Sequence, residues 1–211
     1  MPDSHTENPR RALIVDYGGV LTTNIWAAFG NFCEREGLER DAVLQLFRSN
    51  PEALATLRGL ETGELADDEF ERRFGALVGV ENHEGLIARM FSDLRPEESM
   101  ITAVRTARGQ GIATGLITNS WGLGIYDRAP TDLFDAAVIS GEVGLHKPQP
   151  EIYLLACEKL EVEPAAAVFV DDLRENVEGA EAVGMTAILH RDPAKTVAQL
   201  EELFGITLAA G

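Results

Sequence analysis

The chain is poor in positive charge, in cysteine and in long apolar runs. Its 211 residues carry 18 Lys and Arg against 35 Asp and Glu, a formal net charge of −17. Such a surface repels nucleic acid and anionic membranes, so neither is an expected partner. Solubility accounts for most of that charge. It would also repel a phosphorylated substrate unless a cation or a local positive group offset it, so a metal is worth seeking. Cys33 and Cys157 lie far apart and in no metal-ligand spacing. They read as reduced core or helix residues, which fits a cytoplasmic protein. No stretch is long and apolar enough to span a membrane. Residues 1–11 are polar, contain Pro2 and Pro9 and lack an apolar signal-peptide region; they read as a disordered lead.

What is present is enough apolar material for a core. Apolar residues make up 45% of the chain, which suits one domain of ordinary size or a core with a small insert. Residues 12–15 form an apolar run that ends at Asp16 and a glycine pair, the pattern of a buried strand stopping in a tight turn. From about Trp26 to about Phe91 the chain then shows helical periodicity alone. Trp26, Phe29, Phe32 and Cys33 share a helix face that Gly37 ends. Asp41 is expected to cap a segment carrying Val43, Leu44, Leu46 and Phe47, and Pro51 to open another. Glu61-Thr62-Gly63-Glu64 reads as a turn, Asp67-Asp68-Glu69 as the acidic first turn of a helix carrying Phe70, Phe74 and Leu77, and residues 85–91 as a short helix. Residues 24–92 are therefore expected to form a small helical cap, with 12–23 and 93–211 as the core.

From Pro96 the chain alternates. Helices are expected over 96–110, 150–160, 177–183 and 197–204, and strands over 112–117, 136–139, 166–170 and 185–189. In the second of these helices Ile152, Leu154, Leu155 and Leu160 are expected to face inward. The pattern predicts an α/β fold, a doubly wound, Rossmann-like parallel sheet with helices on both faces.

Four polar clusters follow apolar runs: Asp16; Thr118-Asn119-Ser120; Lys147, in Gly144-Leu145-His146-Lys147-Pro148; and Asp171-Asp172, with Asn176 beyond. The carboxyl ends of parallel strands point one way, so these clusters converge on one edge of the sheet. A carboxylate nucleophile, a hydroxyl, a lysine and an acid pair together fit phosphoryl transfer. Asp16 can attack phosphorus. Asp16 and one or both of Asp171 and Asp172 offer hard oxygen ligands suited to Mg²⁺. Thr118 and nearby backbone amides can hold phosphate oxygens, and Lys147 can offset charge that grows in the transition state. Two adjacent carboxylates repel each other, which again points to a cation.

The ordered motifs Asp16-Tyr17-Gly18-Gly19-Val20-Leu21-Thr22, Thr118-Asn119-Ser120, Lys147-Pro148-Gln149-Pro150 and Phe169-Val170-Asp171-Asp172 through Asn176 and Gly179 to Gly184 resemble those of the haloacid dehalogenase-like hydrolase superfamily. The resemblance runs from about Arg11 to the end and is strongest to the phosphatase-type branch with a small helical cap. It implies Asp16 as nucleophile; Thr118, Asn119, Lys147 and Gly19 around the phosphate; and Asp16, the Gly18 carbonyl, Asp171 and Asp172 around Mg²⁺, with Asp172 the foremost acidic ligand. A small phosphorylated metabolite is the implied substrate, and the cap is expected to close over it.

One position departs from the family pattern. Most phosphatases of this kind carry a second aspartate where this chain has Gly18. That residue protonates the leaving group and later activates water. Its loss typically costs about 10²–10⁴ in rate, and less for leaving groups stable as anions, such as those of acyl, aryl or sugar 1-phosphates. Tyr17, His146 and Trp26 are candidates to reshape the proton path. Two other readings stand beside the phosphatase. One is a metal-independent 2-haloacid dehalogenase; the other is a catalytically degenerate member that binds a phosphorylated ligand or a protein partner. Trp26, Arg58, Arg72, Arg73 and Trp121 are candidates for substrate contact. The sequence leaves monomer and homodimer equally open.

Overall fold

The computed structural model describes residues 10–122 and 131–208. Its first strand, β1 (Ala12–Val15), is followed by five helices: α1 (Ile25–Arg35), α2 (Ala42–Ser49), α3 (Pro51–Glu61), α4 (Asp67–Val78) and α5 (Leu86–Met90). The chain then runs through α6 (Glu98–Gly109), β2 (Ala113–Thr118), β3 (Ala136–Ile139), α7 (Ser140–Val143), α8 (Pro150–Lys159), β4 (Ala167–Asp171), α9 (Arg174–Ala182), β5 (Thr186–Leu189) and α10 (Pro193–Phe204).

The strands form one sheet in the order β3-β2-β1-β4-β5, and every pairing is parallel. β1 therefore lies at the centre, with its neighbours reached by connections that leave in opposite directions. Such a switch point opens a crevice at the carboxyl ends of the strands. All four β1 residues are fully buried because both faces are covered. Leu13 and Val15 pack with Val168 and Val170 under Met100, Val104, Leu200 and Phe204 of α6 and α10. Ala12 and Ile14 pack on the other face with Phe169, Ile152, Tyr153 and Ala156. The sheet is doubly wound, as the strand–helix alternation predicts.

The helices α1 to α5 have an apolar cluster of their own, built on Phe29, Phe32, Phe47, Phe70, Phe74, Leu86 and Met90. Phe74 stacks on Phe47 and Phe70, with ring centroids 5.0 and 5.2 Å away. The chain leaves and re-enters the sheet-bearing part side by side. Thr23 N–H donates to the Arg95 carbonyl (2.9 Å) and Glu97 N–H to that of Leu21 (2.9 Å). Trp121, just past β2, reaches into the helical cluster, with its ring 5.3 Å from both Phe29 and Phe91.

Several local expectations need correction. Arg10 and Arg11 are not part of a loose lead: Arg10 donates to Thr186 Oγ1 (3.2 Å) and Arg11 N–H to the Ala166 carbonyl (2.7 Å). Residues 1–9 lie outside the described residues. Asp41 precedes α2, but its carboxylate accepts from the Gln45 side chain (3.0 Å) and from no helix N–H. Asn24, Asn50 and Asp192 do cap their helices. Leu154 is 46% exposed, and Tyr153, Ala156 and Cys157 take the inward face of α8 with Ile152. α9 and α10 begin earlier than their apolar residues suggest, at Arg174 and Pro193. Glu61 closes α3 rather than sitting in a turn.

Candidate active site

The four clusters meet at the carboxyl end of the sheet. Asp16 follows β1, and its N–H donates to the Val170 carbonyl of β4 (2.9 Å). That places it beside Asp171, the last residue of β4, and Asp172. One oxygen from each of Asp16, Asp171 and Asp172 lies within 4.8 Å of the others. Asp16 and Asp171 are buried, and Asp172 is half-buried.

Lys147 ties this group together. Its Nζ lies 2.7 Å from Asp16 Oδ1 and 2.6 Å from Asp171 Oδ2, and it donates to the Ile117 carbonyl at 3.2 Å. These three contacts occupy the three donors of the ammonium. The Lys147 backbone is held by Asn119, whose Oδ1 accepts from Lys147 N–H (2.8 Å) while its Nδ2 donates to the Lys147 carbonyl (3.2 Å). The Asn119 carboxamide thus reads the lysine's main chain from both sides. The loop beyond, with its cis Lys147–Pro148 peptide, passes close to α9. A methyl at Gly179 would lie 2.9 Å from Pro148 Cβ and 3.0 Å from Tyr153 Oη. That approach explains a glycine in the middle of α9.

The two adjacent aspartates differ. Asp171 accepts from Leu173 N–H (2.8 Å) at Oδ1, from Lys147 at Oδ2, and from Asn176 Nδ2 at both oxygens (3.0 and 3.1 Å). Asp172 faces the turn after β1. Gly19 sits there at φ +77°, and a methyl on it would come within 2.6 Å of Asp172 Oδ2. Gly19 N–H itself turns away to Thr22 Oγ1 (3.0 Å).

The electrostatics of this cluster are those of crowded anions. Burial pushes the Asp16 carboxyl well above the ordinary range; Asp171 and Asp172 add to the rise, and Lys147 opposes it. Burial, with Asp171 beside it, raises Asp172 to about 6 against the pull of Lys147 and Arg191. For Lys147, burial works against the charge, but Asp16 and Asp171 outweigh it and hold the ammonium charged. Carboxylates raised by one another and by burial are the donor set that a divalent cation stabilises.

Above the cluster lies a cavity of about 390 Å³. Asp16, Gly18, Thr118, Asn119, Lys147 and Asp172 line its polar end. The rest is largely apolar and aromatic and comes mostly from the helical unit, with Ile25, Trp26, Phe29, Phe47, Leu57 and Phe91 around it. Of the expected substrate contacts, Trp26, Arg58 and Trp121 line the cavity. Arg72 and Arg73 do not: both are exposed and paired with Glu69, at 2.7 and 2.5 Å. Tyr17 and His146 line it too, and His146 Nδ1 is 2.9 Å from the Lys147 carbonyl.

One lining residue escaped the sequence reading. Glu61, the last residue of α3, faces the same cavity as Asp16 and Lys147. Burial lifts its carboxyl to about 7, with Lys147 and Arg58 opposing the rise and Glu175 and Asp16 adding to it. A helix carboxyl end disfavours an anion, and an acid placed there is the signal that could have marked it.

The family pattern described as haloacid dehalogenase-like hydrolase matches residues 10–184. A sesquiterpene phosphatase of Aspergillus oryzae is 31% identical over 158 residues, covering 71% of this chain and 80% of that protein. Mouse acyl-CoA dehydrogenase family member 10 is 28% identical over 211 residues, 95% of this chain but 20% of its own length, so the chain spans about a fifth of that relative. Among solved structures, an HAD family enzyme of Bacteroides thetaiotaomicron in complex with magnesium and inorganic phosphate superposes with a TM-score of 0.66 at 19% identity, covering 86% of this chain and 94% of that one.

Proposed function

The chain belongs to the haloacid dehalogenase-like hydrolases, and from that premise we propose that it is a Mg²⁺-dependent phosphatase of small phosphorylated metabolites. The observation that supports this most is the convergence of the Asp16, Asp171 and Asp172 oxygens beside the Lys147 ammonium. An Asp16 oxygen attacks phosphorus, and the ester oxygen departs with its electron pair. Water then attacks the phosphorus of the aspartyl-phosphate, releasing inorganic phosphate and the Asp16 carboxylate.

Asp16, Asp172 and the Gly18 carbonyl would hold the Mg²⁺. Both Asp171 oxygens already accept hydrogen bonds, so Asp171 serves chiefly to fix Lys147. When bound, the ion supplies the positive charge that lets a carboxylate approach a phosphate dianion. Thr118 faces the phosphate end, and Lys147 keeps Asp16 oriented and offsets charge in the transition state. Asn119 acts on the phosphate through the lysine loop that it clamps. Residues 24–92 form the cap.

Gly18 brings no side chain for proton transfer, so esters with stable leaving groups react best. The apolar lining favours an aryl or otherwise apolar alcohol over a polyol. The relative in Aspergillus is named for a substrate of that apolar kind. The missing acid at position 18 also suits a dehalogenase, which needs no metal; the three-carboxylate cluster argues against it.

The test is release of the alcohol from an activated aryl phosphate, with Mg²⁺ and with excess chelator, by the wild type and by Asp16→Asn. Activity that requires both Mg²⁺ and Asp16 is expected. Chloride release from a 2-haloacid without metal would favour the dehalogenase instead.

A further inference from the structure

Hydrolysis of an aspartyl-phosphate needs a group that takes a proton from the attacking water, and Gly18 cannot be that group. In-line displacement brings the water from the side opposite Asp16, which is the side lined by the helical unit. Glu61 is the carboxylate that this unit contributes to the cavity.

Its position is fixed from below. Ser140, fully buried at the start of α7, donates from Oγ to the Glu61 carbonyl and accepts at Oγ from Ser120 N–H (2.7 Å). Ser120 belongs to the same segment as Thr118 and Asn119. Two residues on, Gly63 lies against the Gly141 carbonyl, where a methyl would sit 2.6 Å from the oxygen. The end of α3 is thus locked through its backbone to the strand edge that carries the phosphate site. No hydrogen bond or ion pair to another described residue ties down the Glu61 carboxylate. The backbone is fixed and the carboxylate is unspent.

We propose that Glu61 is the general base of the second half-reaction, accepting the proton of the water that hydrolyses phosphorylated Asp16. This rests on the phosphatase reading above. As the water oxygen bonds to phosphorus, the P–O bond to Asp16 breaks and its electron pair returns to that carboxylate. The water proton passes to Glu61, which releases it to solvent. Its setting supports the role: burial holds the carboxyl near 7, close to a working pH, with Arg58, Lys147, Asp16 and Glu175 as the charged groups that act on it. The other acids of the cavity are otherwise placed. Asp16 is the nucleophile, Asp172 faces the metal site, and Glu175 is exposed.

The experiment is pre-steady-state hydrolysis of an activated aryl phosphate with Mg²⁺, comparing wild type, Glu61→Gln, Glu61→Asp and His146→Ala. Glu61→Gln should retain the first step and lose the second. It should release a burst of aryl alcohol near one equivalent per enzyme, followed by turnover about 10²-fold or more below wild type. Mass spectrometry should find a phosphoryl group on Asp16. Glu61→Asp should recover part of the turnover. Equal slowing of both steps without a burst, a change in KM alone, or a burst in His146→Ala instead would each overturn the proposal. A wild type with no Asp16-dependent release would refute the phosphatase reading itself, an outcome distinct from all of these.

Discussion

The Asp172 carboxylate rests against the α-carbon of Gly19, so close that a single methyl group there would lie 2.6 Å from Oδ2. The contact joins the turn after the central strand to the acid at the end of its neighbour. Gly19 also stands at φ +77°, a conformation that an L side chain adopts only at a cost.

Gly19→Ala should therefore strain the turn and displace Asp172 together. We expect an apparent Mg²⁺ affinity at least tenfold weaker and a melting temperature lower by a few degrees. Mg²⁺ titration of aryl phosphatase activity, read beside thermal unfolding, checks this. Unchanged Mg²⁺ dependence would mean that Asp172 does not reach the ion.

The two adjacent aspartates should separate cleanly. Asp172→Asn removes a repelling charge from an anion cluster, so Mg²⁺-dependent activity should fall while stability without metal holds or rises. Lys147→Met leaves Asp16 and Asp171 buried without their cation. Breaking a buried pair in that way costs about 3–5 kcal/mol. Denaturant unfolding in excess chelator distinguishes the two variants, and similar losses in both would show that Lys147 is not what holds the buried Asp16 and Asp171 together.

Much of this was legible in the residues. Apolar runs that end in Asp16, Thr118 and Asp171 mark strand ends, because fully buried parallel strands have no polar face to blur the signal. Their common direction then brings the clusters to one edge. Division of labour within the site was not legible. Asp171 and Asp172 look alike in sequence, yet one is spent on Lys147 and Asn176 and the other faces Gly19. Nothing in the Thr118-Asn119-Ser120 run announces that Asn119 holds the backbone of a residue 28 positions on. Glu61 was hidden because its role depends on how α3 docks on Ser140, a long-range contact with no local pattern. Leu154 misled for the opposite reason: an apolar residue on a helix need not face the core.

Away from the site, Asp135 offers a test of pH-dependent stability. It accepts from Thr114 N–H (2.9 Å) and from Arg108 (2.9 Å), and its carboxyl is held below the ordinary 3.8, chiefly by the Thr114 backbone bond. A depressed acid binds its proton more weakly in the folded chain than in the unfolded one. Its contribution is thus present above the ordinary value and is lost as pH falls through the lowered one. Asp135→Asn should be less stable than wild type at pH 7, by no more than about 1 kcal/mol because the Arg108 pair is exposed and screened. The two unfolding curves should converge as pH drops below 3.8. A gap that persists in acid would assign the effect to packing.

The missing acid two residues after Asp16 has a structural counterpart in Ile25. A Cβ placed on Gly18 would collide with Ile25 Cδ1, so the first residue of α1 occupies the space that an aspartate at position 18 would need. The clash involves the tip of a flexible side chain, which can turn aside but would then intrude on the cavity it lines. Gly18→Asp alone should therefore fold and gain little. Combined with Ile25→Ala, it should raise turnover of alkyl phosphates relative to aryl phosphates by about 10²-fold, the lower end of what a positioned acid contributes. The informative quantity is the dependence of kcat/KM on leaving-group acidity, which should flatten in the double variant only. If the slope is already shallow in the wild type, another residue protonates the leaving group. If it stays steep in the double variant, the proton route of this enzyme does not pass through position 18.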